Sequence, residues 1–170
     1  MVIGICGVSN SGKSHLAEKL ADHFRDRSTK VIAQDDFALP SDKIPHILDH
    51  VDWESPESIN FPKFKQTIVD AIETYDFVIV EGIFAYHDKK INELYDKKLF
   101  IEISKETFLD RKIKDTRWGI EPAWYMDHIW KNYLKFGQPK KKIKDMYYVD
   151  GNMQIILSDI LQYLSNKLMR

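Results

Sequence analysis

One cysteine, Cys6, is all that this 170-residue chain carries. No intramolecular disulfide can form, and a single thiol fits a reducing compartment. Cys6 lies inside the apolar run Val2 to Cys6 and reads as a small core residue rather than a nucleophile. No apolar run approaches the roughly 18 residues of a membrane span, and no leader-like segment precedes the first run. The cytoplasm is the expected compartment, and no membrane partner is expected. Charge of neither sign dominates: Lys and Arg total 25, Asp and Glu total 26, and the net charge is −1. That balance argues against a general nucleic-acid binder, which carries an excess of basic residues. Repeats and low-complexity tracts are absent. The length suits a single domain, residues 1–170, and is too small for two ordinary ones. Monomer and homodimer both remain open.

What the chain has, near its start, is Gly7-Val8-Ser9-Asn10-Ser11-Gly12-Lys13-Ser14, a fit to G-x-x-x-x-G-K-[ST]. Average residue usage produces the four fixed positions by chance in roughly one chain in a hundred of this length. Placement sharpens the match. The apolar run Val2 to Cys6 precedes it, and a helical stripe of Leu16, Ala17, Leu20, Ala21 and Phe24 follows. A turn that merely caps a helix needs neither the lysine nor the spacing. The glycines let backbone N–H groups line a concave anion site, and the helix start directs partial positive charge at it. Lys13 reaches toward the β- and γ-phosphates, and the Ser14 hydroxyl is placed to hold Mg²⁺. Gly7, Ser9, Asn10, Ser11, Gly12, Lys13, Ser14 and His15 are the expected ATP contacts of this loop.

Further apolar runs have strand character: Val31–Ala33, Phe77–Val80, Leu99–Ile103 and Met146–Val149. Several are apolar nearly throughout, as parallel strands covered on both faces should be. Helical stripes lie between them, one of Phe61, Phe64, Ile68, Ala71 and Ile72, another of Leu157, Ile160, Leu161, Leu164 and Leu168. The alternation predicts a three-layer α/β domain with a parallel sheet. Ligands in such folds gather at the carboxyl ends of the strands. Two stretches depart from the pattern. Ala38 to Asn60 holds Pro40, Pro45 and Pro56 without a clear period and reads as a loop-rich substrate flap. Arg117 to Pro122 interrupts two helical segments and reads as the interruption in a small mobile lid over about 111–122.

Acids stand where strands end. The second strand runs into Gln34-Asp35-Asp36-Phe37, and the third ends in Glu81-Gly82. Phosphoryl transfer needs positioning, charge neutralisation, a base for the hydroxyl proton and a metal bridging the phosphates. Asp35 is the candidate base, with Asp36 beside it on the substrate side. Glu81 is the candidate metal-side acid, acting through a water. Three other signals carry less. His46 and His50 are spaced for a metal on a helix, but Pro45 and weak periodicity place them at the border of the flap. Trp118, Trp124, Tyr125, Trp130 and Tyr133 could stack on single-stranded nucleic acid, yet the charge does not support a groove. Lys140-Lys141-Lys142 reads as a solvated loop.

Taken together, these residues resemble the uridine kinase-like P-loop kinases, and within them the nicotinamide riboside kinases. The segments Gly4 to Ser14, Gln34-Asp35-Asp36-Phe37, Trp53 to Ile59 and Val80-Glu81-Gly82-Ile83-Phe84 are similar to family segments in the same order. Thr116-Arg117 with His128-Ile129-Trp130 and Tyr133-Leu134-Lys135 resembles the family's lid and following helix. The resemblance implies an ATP:riboside phosphotransferase on a five-stranded parallel sheet, with Mg²⁺. It implies that Trp53 stacks on the base, that Glu54 accepts from the ribose hydroxyls, and that Arg117 and Arg111 close over the phosphates. Glu54 stands where the family shows Asp, and Asp52 offers a competing register. The lid is short relative to the better-known members, and Trp118 or Trp124 could supply a second stacking ring.

The expected reaction moves the γ-phosphoryl of ATP to the 5′-hydroxyl of a riboside, foremost nicotinamide riboside. Uridine or cytidine is the alternative within the class. From another class comes a nucleotide-binding regulatory switch. Switches of the GTPase kind carry a guanine-reading N-K-x-D motif, and none occurs in the chain.

Overall fold

The alternating runs become a five-stranded sheet in the spatial order Thr29–Ala33, Phe77–Gly82, Val2–Gly7, Lys97–Glu102, Met146–Asp150, every neighbouring pair parallel. The computed structural model describes residues 1–117, 119, 121–139 and 145–166. Trp118, Lys140 to Lys142 and Leu168 lie outside those residues. In chain order the elements are β1 (Val2–Gly7), α1 (Lys13–His23), β2 (Thr29–Ala33), β3 (His46–Ile47), β4 (His50–Val51), α2 (Phe61–Thr74) and β5 (Phe77–Gly82). There follow α3 (Lys89–Asn92), β6 (Lys97–Glu102), α4 (Lys105–Lys114), α5 (Ala123–Asn132), β7 (Met146–Asp150) and α6 (Leu157–Ser165). This is the expected three-layer P-loop kinase architecture.

Successive side chains of a strand point to opposite faces, and here both faces are covered. Ile3 and Ile5 of β1, Ile79 of β5, and Leu99 and Ile101 of β6 pack on Leu16, Ala17 and Leu20 of α1 and on Ile160 and Leu164 of α6. Val2, Cys6, Val78, Val80 and Phe100 face the other way, onto Phe64, Ile68 and Ala71 of α2, Phe108 of α4, and Tyr125 and Ile129 of α5. Cys6 is fully buried, and burial pushes its thiol up to about 12, so it is the core residue its neighbours implied. Helix starts are chemically marked. The Asn60 side chain accepts the Lys63 N–H at 3.1 Å, and Ser104 Oγ accepts the Thr107 N–H at 3.1 Å, each satisfying an orphan donor of the first turn.

The flap is closed at its base. Leu39 N–H donates to Ser58 O at 2.7 Å and Asn60 N–H to Phe37 O at 2.8 Å, and Ala38 bridges Ile59. Within it lies the β3-β4 hairpin, two residues a strand, too short to leave a period in the sequence. His46 and His50 therefore sit on adjacent antiparallel strands rather than on a helix, opposite Val51 and Ile47. The lid region begins with the last turn of α4, which runs through Lys114 and carries Arg111.

Candidate active site

β1 delivers the phosphate loop at the carboxyl edge of the sheet. A Cβ on Gly7 would stand 2.6 Å from Ile101 O and 2.7 Å from Ser11 Oγ, so only glycine leaves room for the chain to turn beside β6. Gly12, which precedes α1, has φ +103°, in the region that favours glycine. Lys13 is only 9% exposed. Its Nζ donates to Val8 O at 3.1 Å, and among the described residues it takes part in no ion pair. A buried ammonium is costly unless an opposite charge meets it. The loop is thus built around an anion.

One residue on, Ser14 Oγ donates to Glu81 Oε1 at 2.9 Å. The register puts Glu81 between Ile5 of β1 and Ala33 of β2, at the heart of the sheet's carboxyl edge. Burial raises its carboxyl above the usual carboxylate range, Lys13 and the Ser14 hydroxyl pull it back, and Asp35 and Asp36 push it up again. Those two acids lie on the turn Gln34–Phe37 directly after β2, both exposed. Buried Gln34 pins that turn, its Oε1 accepting the Phe84 N–H at 2.8 Å. The structure so gathers Lys13, Ser14, Asp35, Asp36 and Glu81 at one edge. A hydroxyl and a carboxylate are hard oxygen donors, the set that suits Mg²⁺.

Arg111 ties the phosphate loop to the residue after β7, Nη1 donating to Asn10 O at 3.2 Å and Nη2 to Gly151 O at 2.6 Å. Beside it a cavity of about 260 Å³ is bounded by Gly12, His15, Arg111, Gly151, Gln154 and Ile155. Arg117 is 72% exposed and held by Asp115, Nε to Oδ1 at 2.8 Å and Nη2 to Oδ2 at 2.7 Å. That bidentate pair holds the Asp115 carboxyl well below its usual range. Asn10 Nδ2 donates to the same acid at 3.1 Å, so Asp115 ties the phosphate loop to the lid.

On the other side of the edge stands the flap. Trp53 is 45% exposed. Glu54 is half-buried, and burial pushes its carboxyl up to about 7, with Lys112 and Lys13 pulling down and Asp35 and Glu121 pushing up. Lys112 is itself buried and paired with Glu121 at 3.1 Å. Asp52 is engaged elsewhere, its Oδ1 lying 2.8 Å from His128 Nε2 on α5.

Some of this was not legible beforehand. Gly151, Gln154 and Ile155 follow β7, and only the rule that ligands collect at strand ends pointed there. Asp115 and His128 gain their roles from Asn10 and Asp52, 105 and 76 residues away, and Lys112 gains its role from Glu121 across the lid.

The fold and the loop are those of a P-loop nucleotide-binding domain. Residues 60–118 match the model of the Phosphoribulokinase / Uridine kinase family. The chain is 25% identical to a uridine kinase of Geobacillus kaustophilus over 95% of its own length and 91% of that protein. It is 28% identical to nicotinamide riboside kinase 1 of Homo sapiens, over 88% of this chain and 83% of that one. Among solved structures it is similar in fold to a gluconokinase from Sinorhizobium meliloti, with TM-score 0.60, 18% identity and coverage of 95% and 87%. A shikimate kinase from Aquifex aeolicus matches with TM-score 0.60 and 17% identity over 99% of each chain. These findings bear out the resemblance to the uridine kinase-like P-loop kinases. The protein is a phosphotransferase that acts on a hydroxyl group, with ATP as co-substrate and a small molecule as acceptor. No helix among the described residues is long and apolar enough to cross a membrane.

Proposed function

We propose that the protein transfers the γ-phosphoryl of ATP to the 5′-hydroxyl of a riboside, and that its preferred riboside is nicotinamide riboside. The phosphates lie along the loop, met by its N–H groups and by Lys13. The nucleoside half of ATP occupies the cavity beside Arg111, Gly151 and Gln154. Mg²⁺, held by Ser14 with Glu81 behind it, would neutralise charge building on the phosphates. Asp35 takes the proton of the attacking hydroxyl, with Asp36 beside it on the substrate side. Glu54 accepts from the ribose hydroxyls, since one carboxylate can take both members of a vicinal diol. Arg117 leaves Asp115 and closes over the transferring group.

The observation that carries the choice of riboside is the charge of the acceptor side. Trp53 is exposed, and the carboxyl of its neighbour Glu54 has Asp35 and Glu121 as acidic neighbours against Lys112 and Lys13, three acids to two lysines. A cationic pyridinium base is favoured there over a neutral uracil. Stacking on Trp53 adds a cation–π attraction of about 0.5–2 kcal/mol.

The test is Mg·ATP-dependent ADP formation with nicotinamide riboside, uridine, cytidine, adenosine and no acceptor, with Lys13→Ala as the blank. Turnover greatest with nicotinamide riboside supports the reading. A pyrimidine riboside ahead of it keeps the mechanism and changes the substrate. Slow hydrolysis indifferent to the acceptor would remove the kinase reading in favour of a switch.

A further inference from the structure

Asp52 lies on the flap immediately after β4, and His128 lies on α5, the helix that follows the lid. Their side chains are 13% and 16% exposed, and Asp52 Oδ1 stands 2.8 Å from His128 Nε2. The same Oδ1 also accepts the backbone N–H of Glu54 at 3.3 Å. One oxygen thus carries two bonds, one to α5 and one to the peptide that bears Glu54. Trp53 lies between these two anchored residues, its own carbonyl taken by Ser58 Oγ at 3.0 Å.

The proton on this contact can be assigned. A mostly buried carboxylate oxygen needs donors, so Nε2 carries the hydrogen and donates to Asp52. As the amide is placed, Asn132 Nδ2 stands 3.1 Å from that Nε2, but an amide nitrogen cannot donate to a ring nitrogen that is already protonated, and the amide's N and O can be exchanged. Asn132 therefore turns its amide oxygen toward the shared proton. Neighbouring contacts run the same way between flap and helix. Tyr125 of α5 donates to Val51 O at 3.3 Å, and its ring lies over His128 at 5.9 Å between centroids. His50 packs edge-on against Trp124 at 4.9 Å.

We infer, resting on the riboside reading above, that Asp52 and His128 are a positioning pair for the acceptor. Neither touches substrate. Asp52 spends its oxygen on His128 and on the Glu54 peptide, and so holds Glu54 and Trp53 at the angle from which they meet the ribose and the base. Because His128 belongs to the helix after the lid, the pair also sets the flap relative to the lid, so the acceptor and phosphate halves of the site share one frame. Asp52 and Glu54 are not rival readers of the ribose; the first places the second.

The experiment is steady-state kinetics with each substrate varied in turn, on Asp52→Ala, Asp52→Asn, His128→Phe and His128→Gln. Loss of a hydrogen bond to a charged group at this site raises the riboside KM about tenfold in Asp52→Ala and His128→Phe. The ATP KM stays within about twofold of wild type, because uniform binding is lost only on the acceptor side. Asp52→Asn keeps an accepting Oδ1, and His128→Gln keeps an N–H at similar reach, so both recover most of the riboside affinity. A merely structural role would raise both KM values or lower kcat alone, and conservative replacement would not restore the difference. An unchanged riboside KM in Asp52→Ala overturns the positioning pair. Glu54→Ala separates the two levels. If Glu54→Ala raises the riboside KM while Asp52→Ala does not, only the pair fails; if neither raises it, the riboside reading fails with it.

Discussion

Ser14 Oγ and Glu81 Oε1 lie 2.9 Å apart, joining the first turn of α1 to the end of β5 across 67 residues of sequence. On the proposed reading the hydroxyl would hold Mg²⁺, and the acid that accepts its hydrogen bond would orient it. Groups behind metal ligands typically cost ~10–100-fold in metal affinity when removed. Glu81→Gln is therefore expected to raise the Mg²⁺ concentration for half-maximal turnover by about that factor, with less effect at saturating Mg²⁺. A Mg²⁺ titration of initial rates checks it, and an unshifted midpoint would take Glu81 out of the metal site.

Asp35 is exposed at the start of the turn after β2, close enough to Glu81 and Glu54 to raise both carboxyls. As the base it should matter to the chemical step and not to ATP binding. Asp35→Asn is expected to lower the single-turnover rate by about 10²–10⁴ with ATP affinity unchanged. Turnover near wild type would mean that another group takes the proton.

Glu54 links pH to both binding and stability. Its carboxyl is raised from 4.5 to about 7, so it becomes fully ionised only above neutrality. An acceptor of ribose hydroxyls works as the carboxylate, so riboside kcat/KM should climb as pH rises through about 7, and Glu54→Gln should flatten that climb. The stability effect has the opposite sign. With a folded value above the unfolded one, the folded state binds more protons between 4.5 and about 7, and stability falls as pH rises through that window. Glu54→Gln should then be more stable than wild type at pH ~8, by about 1–3 kcal/mol, with the gain vanishing toward pH ~4.5. Paired melting curves at the two pH values decide it; equal gains at both would assign the effect to something other than this carboxyl.

Arg117 begins on Asp115 and must change partners to meet a phosphoryl group. Removing a single preorganised donor from a developing transition-state charge typically costs at least ~10²–10³ in rate. Arg117→Ala is expected to lose kcat on that scale while riboside KM stays nearly constant. Arg117→Lys should restore only part, since an ammonium lacks the planar fork. A full rate in Arg117→Ala would leave the arginine as no more than a surface partner of Asp115.

The phosphate loop, the five strands and the acids at two strand ends could be read from the chain because each rests on local chemistry. A G-x-x-x-x-G-K-S turn forms its anion cradle from neighbouring residues, and an apolar run covered on both faces declares itself by composition. The three-layer α/β architecture followed from those runs. The β3-β4 hairpin escaped notice because two residues a strand cannot establish a period.

What the chain by itself determined was the kind of groups on offer: an anion loop, a hydroxyl beside its lysine, and acids at the edge where ligands collect. Tertiary structure decided which distant groups share that edge. Strand order brings Glu81 beside Ser14, the lid brings Asp115 to Asn10, and α5 brings His128 to Asp52 across 76 residues. The choice between Asp52 and Glu54 could not be made from their spacing, since either acid follows the same local pattern. It turns on which carboxylate is already satisfied by a partner, and partners far apart in sequence meet only through the packing of the whole domain.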